Sequence, residues 1–165
     1  MKILFKPTIW VKNVFVINED FLNERSIKGL ILDLDNTLSM HGSPAAEEGV
    51  TEWLSEMRRL KIKMLVVSNN TNKRVRPLAK ELGLSYIAWG CKPLPFGIKK
   101  AAKVMKLPKK NLAVVGDQIF TDIMGGNLSG ITTILVEPFY LEKGLGFKIK
   151  RKIESVVFKR DFSKL

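Results

Sequence analysis

The sequence predicts a single α/β domain built on a doubly wound, mainly parallel sheet. Short runs rich in Val, Ile and Leu alternate with segments whose apolar residues recur at helical spacing, which is typical of βαβ units. The apolar runs also lack the alternation of a half-exposed strand, so we expect them to be buried on both faces, as parallel strands are. A chain of 165 residues suits one such domain with one sizeable core.

Five apolar runs are predicted strands. They are Leu30 to Leu34, Met64 to Ser68, Ser85 to Trp89, Leu112 to Gly116 and Thr132 to Val136. Consecutive parallel strands need crossover connections, and these are right-handed, so helices are expected on both faces of the sheet.

Four helices are predicted between and after these strands. Their apolar spacing covers residues 50–60, 75–82, 96–105 and about 121–130. Gly83 is the expected C-terminal cap of the second helix, and Pro77 is expected in its first turn. The third helix carries a series of lysines that includes Lys99 and Lys103.

The two ends of the chain are less regular, although the domain is expected to span residues 1–165. In the N-terminal segment 1–28, Val14 to Ile17 could form an extra strand, whereas Trp10, Val14, Ile17 and Phe21 are spaced as one face of a helix. Both alternatives stay open. The basic C-terminal tail, residues 141–165, is predicted as a linker followed by an amphipathic helix around residues 147–158.

The chain is strongly basic, with 28 Lys and Arg against 16 Asp and Glu, a formal net charge of +12. Residues 92–110 contain seven lysines and no acid. Such a surface attracts phosphorylated substrates, anionic lipid or nucleic acid, so peripheral membrane contact is a candidate property. A single cysteine excludes an internal disulfide, and no apolar run could span a bilayer. We therefore expect a cytoplasmic protein, or one peripheral at the inner membrane face.

Polar side chains follow the predicted strands at their carboxyl ends, where ligands bind in open parallel sheets. In chain order they are Asp33, Asp35 and Thr37 in the stretch "LILDLDNTLSMHG", Ser68 and Asn69, Lys92, Asp117 and Asp122. A carboxylate at a buried strand end needs a cation or hydrogen-bond donors nearby. Asp33, Asp35 and Asp117 could share a hard cation, and oxygen ligands with water suit Mg²⁺.

These motifs resemble the haloacid dehalogenase (HAD) superfamily. "DLDNTL", a hydroxyl residue after the second strand, "KP" before the third helix and "GDQIFTD" are similar to its four motifs, in order. The short segment after Asp35 leaves no room for a cap domain, as in the capless subfamily IIIA. "KPTIWVKNVFVI", "GLILDLDNTL" and "GDQIFTDIMGGN" resemble the YqeG-type phosphatases, relatives of phosphatidylglycerophosphate phosphatases.

The resemblance implies a HAD-like Rossmannoid fold and a Mg²⁺-dependent phosphomonoester phosphatase. Asp33 would be the nucleophile that forms an aspartyl-phosphate, and Asp35 the general acid and base. The other implied roles are Mg²⁺ binding by Asp33, the backbone carbonyl of Asp35 and Asp117, phosphate binding by Ser68, Asn69 and Lys92, and supporting contacts from Thr37 and Asp122. A capless, open site would suit phosphatidylglycerophosphate, a substrate presented by a membrane.

Two other interpretations use the same residues. The lysine-rich stretch and tail could make the chain an RNA- or ribosome-associated binding protein on a HAD scaffold, although no aromatic stacking motif supports this. A receiver domain would also have an acid pair and a lysine, but Thr37 and the motif order disfavour it.

Overall fold

The computed structural model describes residues 2–139, and the predicted tail helix lies outside them. A six-stranded, wholly parallel sheet has the order β1-β6-β5-β2-β3-β4. The strands are β1 (Ile9–Val11), β2 (Gly29–Leu32), β3 (Lys63–Val67), β4 (Ser85–Ile87), β5 (Leu112–Gly116) and β6 (Thr132–Val136). The predicted doubly wound α/β class is confirmed.

The helices connect the strands and cover the sheet. They are α1 (Lys2–Phe5), α2 (Glu19–Glu24), α3 (Val50–Arg59), α4 (Asn72–Glu81), α5 (Phe96–Met105) and α6 (Met124–Ser129). Within residues 2–139, none of them is long and apolar enough to cross a membrane.

The core lies on both faces of the sheet, as the unbroken apolar runs predicted. In β2, Leu30 and Leu32 join the larger cluster with Val66, whereas the intervening Ile31 packs on the opposite face with Val114. Alternate side chains of a strand point to opposite faces, so a central strand covered on both sides needs apolar residues at every position.

The boundaries of α4 are set by capping residues as well as by the apolar spacing from which the helix was predicted. The second predicted helix begins at Asn72, three residues earlier than its apolar face, because the Thr71 side chain accepts a hydrogen bond from the Arg74 N–H and caps it. Pro77 is therefore in the second turn, and its predicted place in the first turn is wrong. The helix stops where expected, with Gly83 at φ +63°.

The N-terminal segment forms neither the predicted strand nor the predicted continuous helix. Ile9–Val11 forms β1, which pairs in parallel with β6 at the edge of the sheet. Val14–Val16 is one turn of 3₁₀ helix, and α2 starts after Asn18, whose side chain caps it. The proposed strand at residues 14–17 and the continuous helical face are wrong, since the Asn13 and Asn18 caps divide the segment into separate short turns.

Three predicted strands are shorter than their apolar runs, and the extra residues begin the loops that form the site. After β2 the Asp33 N–H still donates to the Val115 carbonyl, and then the chain turns as the Leu38 N–H donates to Leu34. Leu34, Ser68 and Trp89 thus fall outside the strands. The fourth helix starts with a wide π-helical turn at Ile119–Ile123, ahead of its predicted start.

Candidate active site

A buried ion triad occupies the carboxyl edge of the sheet. The Lys92 ammonium donates to Asp33 Oδ1 and to Asp122 Oδ1, each at 2.6 Å. Asp33 directly follows β2, Asp122 lies in the π-helical turn after β5, and Lys92 lies in the loop between β4 and α5. All three are buried, so the ammonium and the two carboxylates depend on one another for charge compensation.

Burial dominates the electrostatics of this triad. It raises the pKa of Asp33 to about 7; the Lys92 ammonium opposes the rise and the Asp122 carboxylate adds to it. Burial alone would lower the pKa of Lys92, but the carboxylates of Asp122 and Asp33 outweigh it and hold that pKa above the usual lysine value. Lys92 is therefore a permanent cation beside a carboxyl that titrates near neutral pH.

Three carboxylates of the site could hold a metal ion. One oxygen from each of Asp33, Asp117 and Asp122 lies within 4.8 Å of the others, and all three residues are buried. Asp117 follows β5, the strand next to β2, so adjacent strand ends bring it to Asp33. A set of carboxylate oxygens with a single lysine counter-charge fits a hard divalent cation such as Mg²⁺.

The Thr37 hydroxyl supports the same fit. It is buried, and its Oγ1 has no hydrogen-bond partner within the described part of the chain. The supporting contact that the resemblance implies for Thr37 therefore does not form among the described residues. An unpaired buried hydroxyl is costly unless a bound group or water meets it.

The Asp35 carboxylate is oriented by a separate set of donors. Arg74 Nη2 lies 2.6 Å from its Oδ1, Asn70 Nδ2 2.8 Å from its Oδ2, and the Gly42 N–H donates to Oδ1 at 3.2 Å. The exposed His41 lies at the edge of this group, 4.0 Å from Oδ1. Both oxygens are thus fixed, and the side chain belongs to a different ion pair from that of Asp33.

Ser68 and Asn69 have different surroundings. Ser68 is buried, and its Oγ accepts the Asn70 N–H, a bond that leaves its own proton unused. Asn69 forms two bonds of 2.7 Å with the backbone of Lys92, donating to its carbonyl and accepting its N–H. Asn69 therefore anchors the loop that carries the ammonium.

Several of these groups line one open pocket of about 140 Å³. Its walls are Asp33, Asp35, His41, Ser68, Asn69, Asn70, Lys92, Gln118 and Thr121. The segment between Asp35 and α3 contains no helix or strand, in line with the predicted absence of a cap domain. The pocket thus offers two carboxylates, a cation and hydroxyl groups around one small volume.

Every residue predicted for the site lies at this edge of the sheet, but three neighbours were missed. Arg74 and Asn70 hold Asp35, and His41 lies at the edge of the same group. One signal was available: Asn70 follows the predicted site residues directly. Arg74 could have been found only from the Thr71 cap, which sets where α4 begins.

Known phosphatases resemble this chain in sequence and in fold. The profile of a family described as "Mitochondrial PGP phosphatase" matches residues 1–140. Probable phosphatase YqeG of Bacillus subtilis (strain 168) is 40% identical over 154 residues, which are 93% of this chain and 90% of that protein.

Two more distant proteins extend the comparison. One is phosphatidylglycerophosphate phosphatase 1, chloroplastic/mitochondrial, of Arabidopsis thaliana. It is 25% identical to this chain over 93% of the chain's length, and the match covers 47% of the plant protein. The 4-nitrophenylphosphatase of Thermotoga maritima has a TM-score of 0.58 over 76% of this chain and 97% of its own, at 14% identity, a likeness of fold alone.

The match over residues 1–140 and the 40% identity over nearly the whole chain decide the family. The chain belongs to the PGP phosphatase family of the HAD superfamily, and it is a phosphatase of the HAD type that acts on phosphomonoesters.

Proposed function

We propose that this phosphatase works through an aspartyl-phosphate on Asp33, with Mg²⁺ as its cofactor. The observation that carries the proposal is the buried pairing of Lys92 with Asp33 and Asp122, beside Asp117 and at the wall of an open pocket. This arrangement supplies a nucleophile, a place for a divalent ion and a fixed positive charge.

Asp33 is the group that attacks phosphorus. Its carboxylate oxygen forms the new P–O bond as the bond to the leaving oxygen breaks, and Asp35 gives its proton to that oxygen. In the second half, Asp35 takes a proton from the water that cleaves the acyl-phosphate, which releases phosphate and restores Asp33. Arg74 and Asn70 would keep the Asp35 carboxyl in place in both steps.

The remaining residues bind and neutralise charge. Lys92 and the Ser68 hydroxyl are suited to the phosphoryl oxygens, where negative charge is spread in the transition state. Asp33, Asp117 and the backbone carbonyl of Asp35 would hold Mg²⁺, with Asp122 orienting Lys92. When bound, the ion would offset the repulsion between the Asp33 carboxylate and the phosphate dianion.

We take phosphatidylglycerophosphate as the leading substrate. Two comparisons support it: the matching family is described as "Mitochondrial PGP phosphatase", and the Arabidopsis relative is named for this activity. The open pocket supports it too, because a substrate embedded in a membrane can itself exclude water from a site without a cap.

A phosphate-release assay tests both parts. With Mg²⁺, the protein should release phosphate from this lipid in mixed micelles much faster than from a soluble sugar phosphate, and Asp33→Asn should be inactive. Mass spectrometry of acid-quenched protein should find one phosphate on Asp33. Equal rates on the two substrates would reject the lipid, and an active Asp33→Asn would reject the mechanism.

A further inference from the structure

Three large apolar side chains are exposed on one loop beside the pocket. We define the rim loop as residues 88–96, the loop after β4 together with Phe96, the first residue of α5. Its exposed fractions are 63% for Trp89, 53% for Leu94 and 68% for Phe96. The same loop contains the buried site residue Lys92. Large apolar side chains that are exposed this close together in the chain are typical of a surface that meets another molecule.

The rim loop is held in a compact shape that keeps these side chains outside. Gly97 packs so closely on Gly90 that an added Cβ would lie 2.5 Å from the Gly90 carbonyl oxygen. The Gly90 N–H also donates to the Ser68 carbonyl at 2.8 Å. Since Trp89 and Phe96 directly precede these two glycines, their backbones are neighbours, and both residues lie within four positions of the pocket residue Lys92.

Helix α5 adds positive charge behind the aromatic residues. Its exposed face follows the spacing i, i+3, i+4 and i+7 with Phe96, Lys99, Lys100 and Lys103. Residues 92–110 contain no acidic side chain. A membrane surface has an apolar acyl layer beneath anionic headgroups. Aromatic side chains can enter the acyl boundary while the neighbouring lysines contact the headgroups.

We propose that the rim loop and the lysine face of α5 dock this protein on an anionic lipid bilayer. Trp89, Leu94 and Phe96 enter the interface, and the lysines pair with headgroup phosphates. A second copy of the chain is a poorer occupant, because a symmetric contact through this face would set the lysines of the two copies against each other. The purpose of docking rests on the proposed lipid substrate, since it would present the pocket to that surface.

Vesicle co-sedimentation measures docking without turnover. The protein should bind vesicles of phosphatidylcholine with phosphatidylglycerol, and bind phosphatidylcholine alone weakly. The double variant Trp89→Ser/Phe96→Ser should bind about tenfold or more weakly than the wild type. Trp10→Ser is the matched control, because Trp10 is 52% exposed on β1 at the opposite edge of the sheet, and its binding should be unchanged.

Two readouts separate docking from folding and from catalysis. Brominated phosphatidylglycerol should quench the tryptophan fluorescence of the wild type and of Trp10→Phe but not of Trp89→Phe, a conservative change. Hydrolysis of p-nitrophenyl phosphate by the double variant should stay at the wild-type rate. Docking through the rim loop would be overturned if wild type and double variant bound vesicles equally, or if both phenylalanine variants were quenched equally; the proposed phosphatase mechanism would be unaffected. Vesicle binding without phosphatase activity would overturn the proposed mechanism and leave docking intact.

Discussion

The Arg74 guanidinium donates to Asp35, with Nη2 2.6 Å from Oδ1, and both side chains are largely shielded from solvent. Asp35 follows β2, whereas Arg74 is in the first turn of α4, after the next strand in the sheet. The Thr71 cap determines which residue of α4 faces the pocket. This ion pair therefore links the start of α4 to the orientation of the proposed general acid.

We expect Arg74→Gln to lower kcat by about 10- to 100-fold with little change in KM. The loss follows because an Asp35 carboxyl held only by Asn70 and Gly42 would spend less time at the leaving oxygen, and small misplacements are costly at this scale. Arg74→Lys should restore part of the rate, since an ammonium keeps the charge but not the planar geometry. Steady-state kinetics measure both.

Arg76→Gln is the matched control for this prediction. Arg76 is exposed on the same helix, two residues further on. Its kinetics should equal those of the wild type. A comparable loss in both variants would mean that the charge of α4, rather than the contact with Asp35, supports the rate.

The contrast between Asp33 and Arg74 shows what the sequence could predict. Asp33 and Asp117 end central strands, whose apolar runs are readable, and parallel topology then brings strand ends together. The position of Arg74 beside Asp35 depends on the residue at which α4 begins, and the Thr71 cap alone determines that residue. The strand Ile9–Val11 was missed for a related reason: its three residues pair with β6, more than 120 positions away, and show no local period.

We expect Asn69→Ala to affect stability more than phosphate affinity. Its side chain makes two hydrogen bonds to the Lys92 backbone, and their loss should cost about 1–2 kcal/mol of unfolding free energy. Ser68→Ala should do the opposite, with weaker inhibition by inorganic phosphate and near-normal stability. Urea unfolding and phosphate inhibition constants distinguish the two. Weakened phosphate inhibition in Asn69→Ala alone would support the direct phosphate contact that the sequence suggested.

We expect Lys92→Met to destabilise the metal-free protein by about 3 kcal/mol near pH 8, because it leaves the carboxylates of Asp33 and Asp122 buried without a counter-charge. The cost should shrink near pH 6, where Asp33 takes up a proton, and Mg²⁺ should recover part of it. Lys99→Met, an exposed change on α5, should be neutral. Denaturant unfolding at both pH values measures this, and a cost that does not depend on pH would point to lost packing instead.

The raised pKa of Asp33 gives metal binding a specific pH dependence. The folded protein holds this proton up to about pH 7, whereas an unfolded aspartate releases it near the ordinary aspartate pKa of 3.8. Folded protein thus binds more protons between these values, so this group's contribution to stability is complete below about pH 4 and is lost as the pH rises through 7. A divalent ion held by Asp33 and Asp117, as proposed above, would replace that proton. The Mg²⁺-induced rise in melting temperature should therefore be larger at about pH 8 than at about pH 6.

Asp33→Asn is the control, because its side chain cannot titrate. It should show a small Mg²⁺ effect that is the same at both pH values. An undiminished, pH-dependent effect in this variant would place the ion elsewhere.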